Sequence, residues 1–154
     1  MKFSTREDIE APIDYVFSQV SDFAAFERRA MRQGADVTRR PDDVVVQGTI
    51  WDIKFNFRGR DRKAEAKLTL LDQPHALTID SASDGLNAST EIELIALSQT
   101  RTRVLVSFDL RAKTLTARLL VQSLKLAKTK MTKRFNGRVL DFAEEIEDRY
   151  RRDV

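Results

Sequence analysis

Few side chains in this sequence combine a reactive group with a position that aims it into a protein interior. Glu7 is one of them, because strict alternation over residues 2–10 places it on the same strand face as Ile9. A buried carboxylate without a partner has a raised pKa and serves as an acid, a base or an anchor for a polar ligand. The sequence favours a structural role for Glu7, an ion pair with Arg60 or Arg62. Both arginines occupy alternate strand positions that are expected to face inward.

The lone histidine and the two tyrosines are the other candidate reactive groups. His75 follows Pro74 in a turn between strands, and no serine or carboxylate stands beside it at a spacing typical of a catalytic triad. Tyr15 and Tyr150 also fit helices with the hydroxyl at the surface. We therefore assign no catalytic residue, while a catalytic use of Glu7, of an inward Arg60 or Arg62, or of Tyr15 stays open as an alternative.

The sequence contains few of the residues that usually bind metals or cofactors. The 154 residues include no cysteine and one histidine, whereas transition-metal sites usually recruit several thiolates or imidazoles. The sequence has no glycine-rich phosphate loop, no paired-histidine motif and no nucleophile elbow. We expect neither a metal nor a bound cofactor.

A run of positive charge lies near the C-terminus. Residues 114–140 contain seven basic residues and no acid, and five acids follow at once: Arg118, Lys125, Lys128, Lys130, Lys133, Arg134 and Arg138, then Asp141, Glu144, Glu145, Glu147 and Asp148. The acids oppose extended contact with a polyanion, and the net charge is only +3, so we expect no nucleic-acid partner. A solvated helix face is favoured, and weak contact with an anionic membrane surface is the alternative.

The elements that would position these groups begin with a strand over residues 2–10. It ends at Ala11-Pro12, where proline suits a first helical turn because its missing N–H would be unpaired there anyway. Asp22 is a good N-cap for a second short helix, which Gly34 closes. The apolar positions of the two helices have helical spacing: Ile13, Val16, Phe17 and Val20, then Phe23, Phe26 and Met31, all expected to face inward.

The middle of the chain, residues 35–113, has the pattern of strands joined by turns. One set of alternate positions is apolar and the other mostly polar, so one sheet face is wet and the other covered. Short connections indicate an antiparallel meander, and Gly48 indicates a bulge and a bend. The apolar runs are Trp51, Ile53, Phe55, Phe57; Ala64, Ala66, Leu68, Leu70; Leu77, Ile79; Ala88, Thr90, Ile92, Leu94; and Val104, Val106, Phe108, Leu110.

The last segment, from Thr114 to about Arg151, repeats apolar residues every three or four positions and predicts a long amphipathic helix. A single rod of this length would span about 55 Å, against a radius of gyration near 15 Å for a domain of this size. We therefore expect a break near Ser123 or Asn136-Gly137, with a short separate turn before the main helix.

The opening of the chain resembles the SRPBCC superfamily, which contains START-like lipid-transfer domains, polyketide cyclase-like proteins and pollen-allergen-like carriers. The resemblance lies in Ile9-Glu10-Ala11-Pro12-Ile13-Asp14-Tyr15-Val16-Phe17 and Val20-Ser21-Asp22-Phe23, and Trp51 and the order of elements through Tyr150 extend it. It implies an α+β helix-grip fold. A curved seven-stranded antiparallel sheet would wrap around the long C-terminal helix, with two short helices after strand 1 and one domain over residues 1–154.

The resemblance also implies a cavity between the sheet and the C-terminal helix, lined by apolar side chains. Small residues at inward positions, Ala64, Ala66, Ala88 and Ala96, favour open space there, whereas an ordinary filled core is the alternative. The predicted lining is Glu7, Trp51, Phe55, Phe57, Leu68, Ile79, Ile92, Phe108, Met131 and Phe135.

The sequence thus predicts a protein that binds or transports a hydrophobic small molecule, such as a lipid, an isoprenoid or an aromatic polyketide-like compound. The alternatives are a polyketide cyclase- or dehydratase-like enzyme that uses the same cavity, and a membrane-peripheral module that uses the basic half of the last helix. The first residues are charged where a signal peptide needs an apolar core, and no apolar run approaches the roughly 20 residues of a membrane span, so we expect a cytoplasmic protein.

Overall fold

One antiparallel sheet and four helices make up the computed structural model, which describes all of residues 1–154. In chain order the elements are β1 (Lys2–Ile9), α1 (Ile13–Val20), α2 (Phe23–Arg32), β2 (Asp36–Arg40), β3 (Ile50–Phe57), β4 (Arg60–Asp72), β5 (Ala76–Ser83), β6 (Leu86–Ser98), β7 (Arg101–Ala112), α3 (Leu115–Lys125) and α4 (Lys128–Asp153).

The sheet has seven strands in the order β1-β7-β6-β5-β4-β3-β2. Helices α1 and α2 carry the chain from β1 at one edge to β2 at the other, and short turns then return it strand by strand until β7 pairs with β1. This is the antiparallel meander that the turn pattern predicted, and it confirms the helix-grip architecture with its long C-terminal helix.

The inner face of the sheet follows the predicted alternation except near two shifts of register. One lies in the pairing of β6 with β7, between Ala96 and Ser98, where Ala96, predicted to face inward, is exposed. The other is a bulge in β4. The pairing of β4 with β5 shifts between Leu68 and Leu70, so Leu70 points outward and is 40% exposed, while Leu71 packs against the core. The predicted inward position of Leu70 is therefore wrong. The bend predicted at Gly48 is present beside this bulge, since Gly48 has a φ of +100° and its N–H donates to the carbonyl oxygen of Leu68 over 2.7 Å.

Helices α1 and α2 start as the sequence predicted. Helix α1 follows Pro12, and Asp22 caps α2 by accepting a hydrogen bond from the backbone N–H of Ala25 over 3.2 Å. Met31, however, is half exposed and does not face inward. At 100° per residue it lies about a quarter turn away from Phe23, and Ala30 occupies the inward position instead.

The C-terminal segment breaks at residues 126–127, close to Ser123 rather than at Asn136-Gly137. The first part is an 11-residue helix and not a short turn, and the second part, α4, has 26 residues. Helix α4 packs on β1 and α1, where the ring of Phe135 lies 5.8 Å from that of Phe3 and Ile146 is fully buried. No helix in the structure is both long enough and apolar enough to span a membrane.

Candidate ligand cavity

An apolar cavity of ≈ 300 Å³ lies between α2 and the inner face of the sheet. Eleven of its 13 lining residues are hydrophobic, which is the composition expected of a site for an apolar ligand. The lining comes from α1, α2 and strands β2 to β6: Val20, Phe23, Phe26, Glu27, Ala30, Val37, Trp51, Ile53, Ala66, Leu77, Ile79, Thr90 and Ile92.

The position of α4 explains why this part of the sheet is open. Helix α4 packs on β1, at the opposite side of the sheet from β3, and contributes no residue to the cavity wall. Two of the lining residues, Ala30 on α2 and Ala66 on β4, are alanines, whose short side chains leave the space between helix and sheet open. The cavity is therefore roofed by α2, which corrects the prediction that it lies between the sheet and the C-terminal helix.

Glu27 is the one ionisable residue in the cavity wall, and its carboxylate is fully engaged. Arg39 donates from Nε and Nη2 to its two oxygens over 2.9 and 2.6 Å, and the indole Nε1 of Trp51 donates to Oε2 over 2.8 Å. The carboxylate and the guanidinium side chains are only 15% and 18% exposed. A two-pronged arginine contact in such a place fixes the geometry as well as the charge.

The ionisation of this pair follows from those contacts. Burial raises the pKa of Glu27, but the hydrogen bonds from Arg39 and Trp51 outweigh it and hold the pKa below its ordinary value. The hydrogen bond to Glu27 in turn raises the pKa of Arg39, against the opposing effect of burial. Glu27 is thus a weak base at neutral pH with both oxygens occupied, so it can orient a wall residue more readily than it can move a proton.

Arg39 joins three parts of the cavity rim. Besides holding Glu27 of α2, it lies on β2 and donates from Nη1 to the backbone carbonyl oxygen of Asp43, in the loop between β2 and β3, over 2.7 Å. Trp51 completes the link from β3, and its ring lies 5.5 Å from that of Phe23. The cavity therefore has a braced edge and an apolar interior.

Of the predicted lining residues, Trp51, Ile79 and Ile92 lie on this cavity. Leu68 is fully buried in the adjacent core. Phe55 is half-buried farther along β3, and Phe57 is 43% exposed beneath the guanidinium groups of Arg58 and Arg62. Their part in ligand binding stays a prediction.

The other predicted lining residues lie toward α4. Phe108 and Phe135 both pack against Phe3, with ring centroids 6.5 and 5.8 Å from it, and Met131 is half-buried on α4. None of them reaches the cavity under α2. The structure thus divides the predicted set into one group in the cavity wall and another beneath the C-terminal helix.

Glu7 lies on the inner face of β1, opposite Val104, and is half-buried. It has no ion-pair partner. Arg62 instead pairs with Asp84 over 3.2 Å, and Arg60 is exposed. The predicted ion pair is therefore wrong, because three strands separate β1 from β4 in the sheet.

Tyr15 and His75 also lie away from the cavity. The Tyr15 hydroxyl donates to Oδ2 of Asp153 over 3.0 Å at the end of α4, and burial together with this contact raises its pKa. His75 is exposed in the turn between β4 and β5. The polar groups that a cyclase-like reaction would draw on from the predicted set do not converge.

A larger groove of ≈ 610 Å³ crosses the outer face of the sheet, but its chemistry is different. Only two of its 13 lining residues are hydrophobic, and the rest are charged or polar groups such as Asp80, Glu91, Asp109 and Arg111. Such a surface is ordinary for the wet side of an antiparallel sheet. We therefore place the candidate site on the inner face.

The fold is shared with solved structures of distant sequence. The Zhui aromatase/cyclase from Streptomyces sp. R1128 matches with a TM-score of 0.64 and 11% identity, over 97% of this chain and 95% of that one. Norcoclaurine synthase from Thalictrum flavum, in complex with dopamine and hydroxybenzaldehyde, matches with a TM-score of 0.62 and 15% identity, over 96% and 87%. The protein TTHA0849 from Thermus thermophilus matches with a TM-score of 0.62 and 12% identity, over 95% and 97%.

These likenesses confirm the predicted helix-grip fold. No protein-family model and no curated protein sequence matches the chain.

Proposed function

We propose that this protein binds an apolar small molecule in the cavity under α2 and acts as a carrier or sensor. The observation that carries the proposal is the cavity itself, a space of ≈ 300 Å³ whose wall is hydrophobic at 11 of 13 positions. An apolar ligand that fills this space removes its own surface and that of the wall from water, and it gains dispersion contacts with the wall.

The size of the cavity limits the ligand. A volume of ≈ 300 Å³ is at the lower end of ligand pockets and corresponds to about ten water molecules in the liquid. This suits a one- or two-ring aromatic compound or the end of an isoprenoid or acyl chain. The dopamine and hydroxybenzaldehyde in the norcoclaurine synthase complex are single-ring compounds, which supports an aromatic ligand in this fold.

The polar groups of the wall favour binding over catalysis. Glu27 is held as a charged carboxylate by Arg39 and Trp51, and Thr90 is the other polar residue that lines the cavity. General acid–base catalysis needs a group with a pKa near the working pH and a free position for the proton. A cyclase-like enzyme, the alternative, would need the Glu27–Arg39 contact to open when the substrate enters.

The single tryptophan gives a direct test. Trp51 is the only tryptophan of the chain and stands in the cavity wall, so its emission reports on occupancy without a label. Titration with a panel of one-ring and two-ring aromatics, isoprenols and short fatty acids should shift or quench that emission saturably for at least one class. Native mass spectrometry of gently purified protein should show the corresponding bound mass.

Unchanged tryptophan emission across the panel, with no co-purified molecule in the native mass spectrum, would remove the proposal. Turnover of a bound compound with release of a new product would replace it with the enzyme alternative.

A further inference from the structure

Helix α3 carries leucines on the face that points away from the protein. Its inner face packs on β7 through the buried Ala117 and Val121. On the opposite side, Leu115 and Leu119 are 73% and 60% exposed, and Leu126, the C-cap residue that directly follows the helix, continues the same stripe and is 91% exposed. A helix that is apolar on opposite faces is normally covered on both, so the outer face of α3 lacks a cover.

The same region carries concentrated positive charge. Seven lysines and arginines, with no acidic residue among them, follow Thr114 up to Leu140, and all seven are exposed. None forms an ion pair within the protein. Arg118 and Lys125 flank the leucine stripe on α3 itself, and Lys128 and Lys130 follow directly at the start of α4.

We propose that this surface, which we call the α3–α4 junction (residues 115–134), docks on an anionic lipid bilayer. Leucines on one helix face with cations at their side are the arrangement by which a helix lies in a membrane interface, with the apolar residues among the acyl chains and the cations at the phosphates. A nucleic acid would use the cations but offers no apolar layer for the leucines. The proposal is independent of what the cavity under α2 contains.

The acidic cluster on α4 opposes this contact only weakly. From Arg134, the last cation of the junction, to Asp141, the first acid of the cluster, the helix rises by about 10 Å, whereas the Debye length at physiological ionic strength is about 8 Å. Salt therefore weakens the repulsion between the first acid and a membrane that touches the junction, and the later acids lie farther away. The cluster would repel a polyanion that ran along the whole helix.

Helix α3 is already formed and held before any membrane arrives. Thr114 caps its first turn by accepting a hydrogen bond from the backbone N–H of Ala117 over 3.2 Å. The backbone N–H of Lys113 donates to the carbonyl oxygen of Gly85 over 2.7 Å, which ties the start of the helix to the turn between β5 and β6. Docking therefore needs no folding of the helix, which lowers the ordering cost of binding.

The test is binding of the full chain to vesicles of 30% phosphatidylglycerol and 70% phosphatidylcholine, measured by co-sedimentation at 50 and 300 mM salt. We expect binding that weakens with salt and is at least tenfold weaker for pure phosphatidylcholine. The triple change Leu115→Ser, Leu119→Ser and Leu126→Ser should weaken it at least tenfold. Lys125→Gln, Lys128→Gln and Lys130→Gln together should weaken it roughly a hundredfold, since each cation at such a surface contributes a factor of about five.

Matched controls use the same kinds of change elsewhere on the surface. Val44→Ser with Val46→Ser removes exposed apolar side chains between β2 and β3, and Arg28→Gln with Arg32→Gln removes exposed cations from α2. Both controls should bind vesicles as the unchanged protein does. Circular dichroism of every variant establishes that the fold is kept.

Four results would overturn the proposal: no vesicle binding at 50 mM salt, equal binding to both lipid compositions, equal losses in the control variants, or unchanged binding in the leucine variant. Tight binding of a DNA or RNA oligonucleotide with no binding to vesicles would assign the cations to nucleic acid. A dimer in light scattering that dissociates in the leucine variant, with no vesicle binding, would assign the leucines to a second copy of the chain.

Discussion

The inner face of the sheet has two regions that look alike in sequence and differ in packing. Near β1, the face is covered by α1 and α4, and Ile9, Val16 and Ile146 are completely buried. Under α2, Ile79 and Ile92 occupy equivalent inward positions on β5 and β6 and remain half-buried beside open space. One region is a filled core, and the other is a cavity.

The helix that covers the sheet decides whether inward apolar residues form a filled core or border a cavity. Helix α4 brings large side chains such as Phe135 and Ile146 against the sheet. Helix α2 brings Ala30 and a charged group, Glu27, whose contact with Arg39 braces the rim but fills no apolar volume. The same strand pattern therefore produces two regions that differ in packing.

The largest expected effect comes from truncating the same residue type in each region. Ile146→Ala should destabilise the protein by about 3–4 kcal/mol, because it leaves a void in a closed core. Ile79→Ala should cost about 1 kcal/mol, because this side chain already borders open space and has fewer contacts to lose. Urea unfolding of both variants measures the difference, and equal losses would show that the cavity is closed in solution.

Next in size is the loss of the brace at the cavity rim. Glu27→Gln should destabilise by about 2 kcal/mol, because it leaves the Arg39 guanidinium mostly buried without its counter-charge. Asp52→Asn is the matched control, since Asp52 pairs with the neighbouring arginine, Arg40, at the exposed side of β2. That change should stay within about 0.5 kcal/mol. The same urea experiment would contradict the brace if the two variants lost equal stability.

A third change should affect binding more than stability. Ala30→Phe places a ring in the cavity, so the ligand concentration that produces half of the change in Trp51 emission should rise at least tenfold. Ala24→Phe adds the same ring to the exposed side of the same helix and should leave that concentration unchanged. Similar titration curves for the two variants would place the ligand outside this cavity.

The smallest effect is a pH dependence of the brace. The pKa of Glu27 is lowered in the folded protein, so its stabilisation is complete above the ordinary glutamate value of about 4.3 and is lost as the pH falls through the lowered value. The unfolding free energies of the unchanged protein and Glu27→Gln should therefore converge as the pH is taken from 7 to 3. A constant gap between them would show that the charge of Glu27 does not stabilise the fold.

Most of the fold was predictable from local patterns. Proline after the first strand, alternation from Trp51 to Leu110 and the apolar stripe through Tyr150 each reflect geometry that a few neighbouring residues impose. The exceptions were also local. The bulge after Leu68 turns Leu70 outward, and helical phase moves Met31 away from the sheet.

The site was less predictable, because its parts meet only after folding. Arg39 and Trp51 lie 12 and 24 residues after Glu27, on two strands that follow its helix, and no spacing rule relates them. The one signal was weak: Glu27 interrupts the apolar face of α2 between Phe23 and Ala30. The roof of the cavity was misassigned to α4 because sequence alone does not tell which part of a seven-stranded sheet a helix covers.

The order of the strands has a consequence for how the protein is made. Of the seven strands, β1 is synthesised before the others, yet it pairs with β7, so that Phe3 lies opposite Phe108, about a hundred residues later in the chain. At about 5–20 residues per second, about 5 to 20 seconds pass between the synthesis of β1 and that of its neighbour. Contacts between such distant parts of a chain also make folding slow. Until then the inward residues Phe3 and Ile9 of β1 have no partner strand beside them.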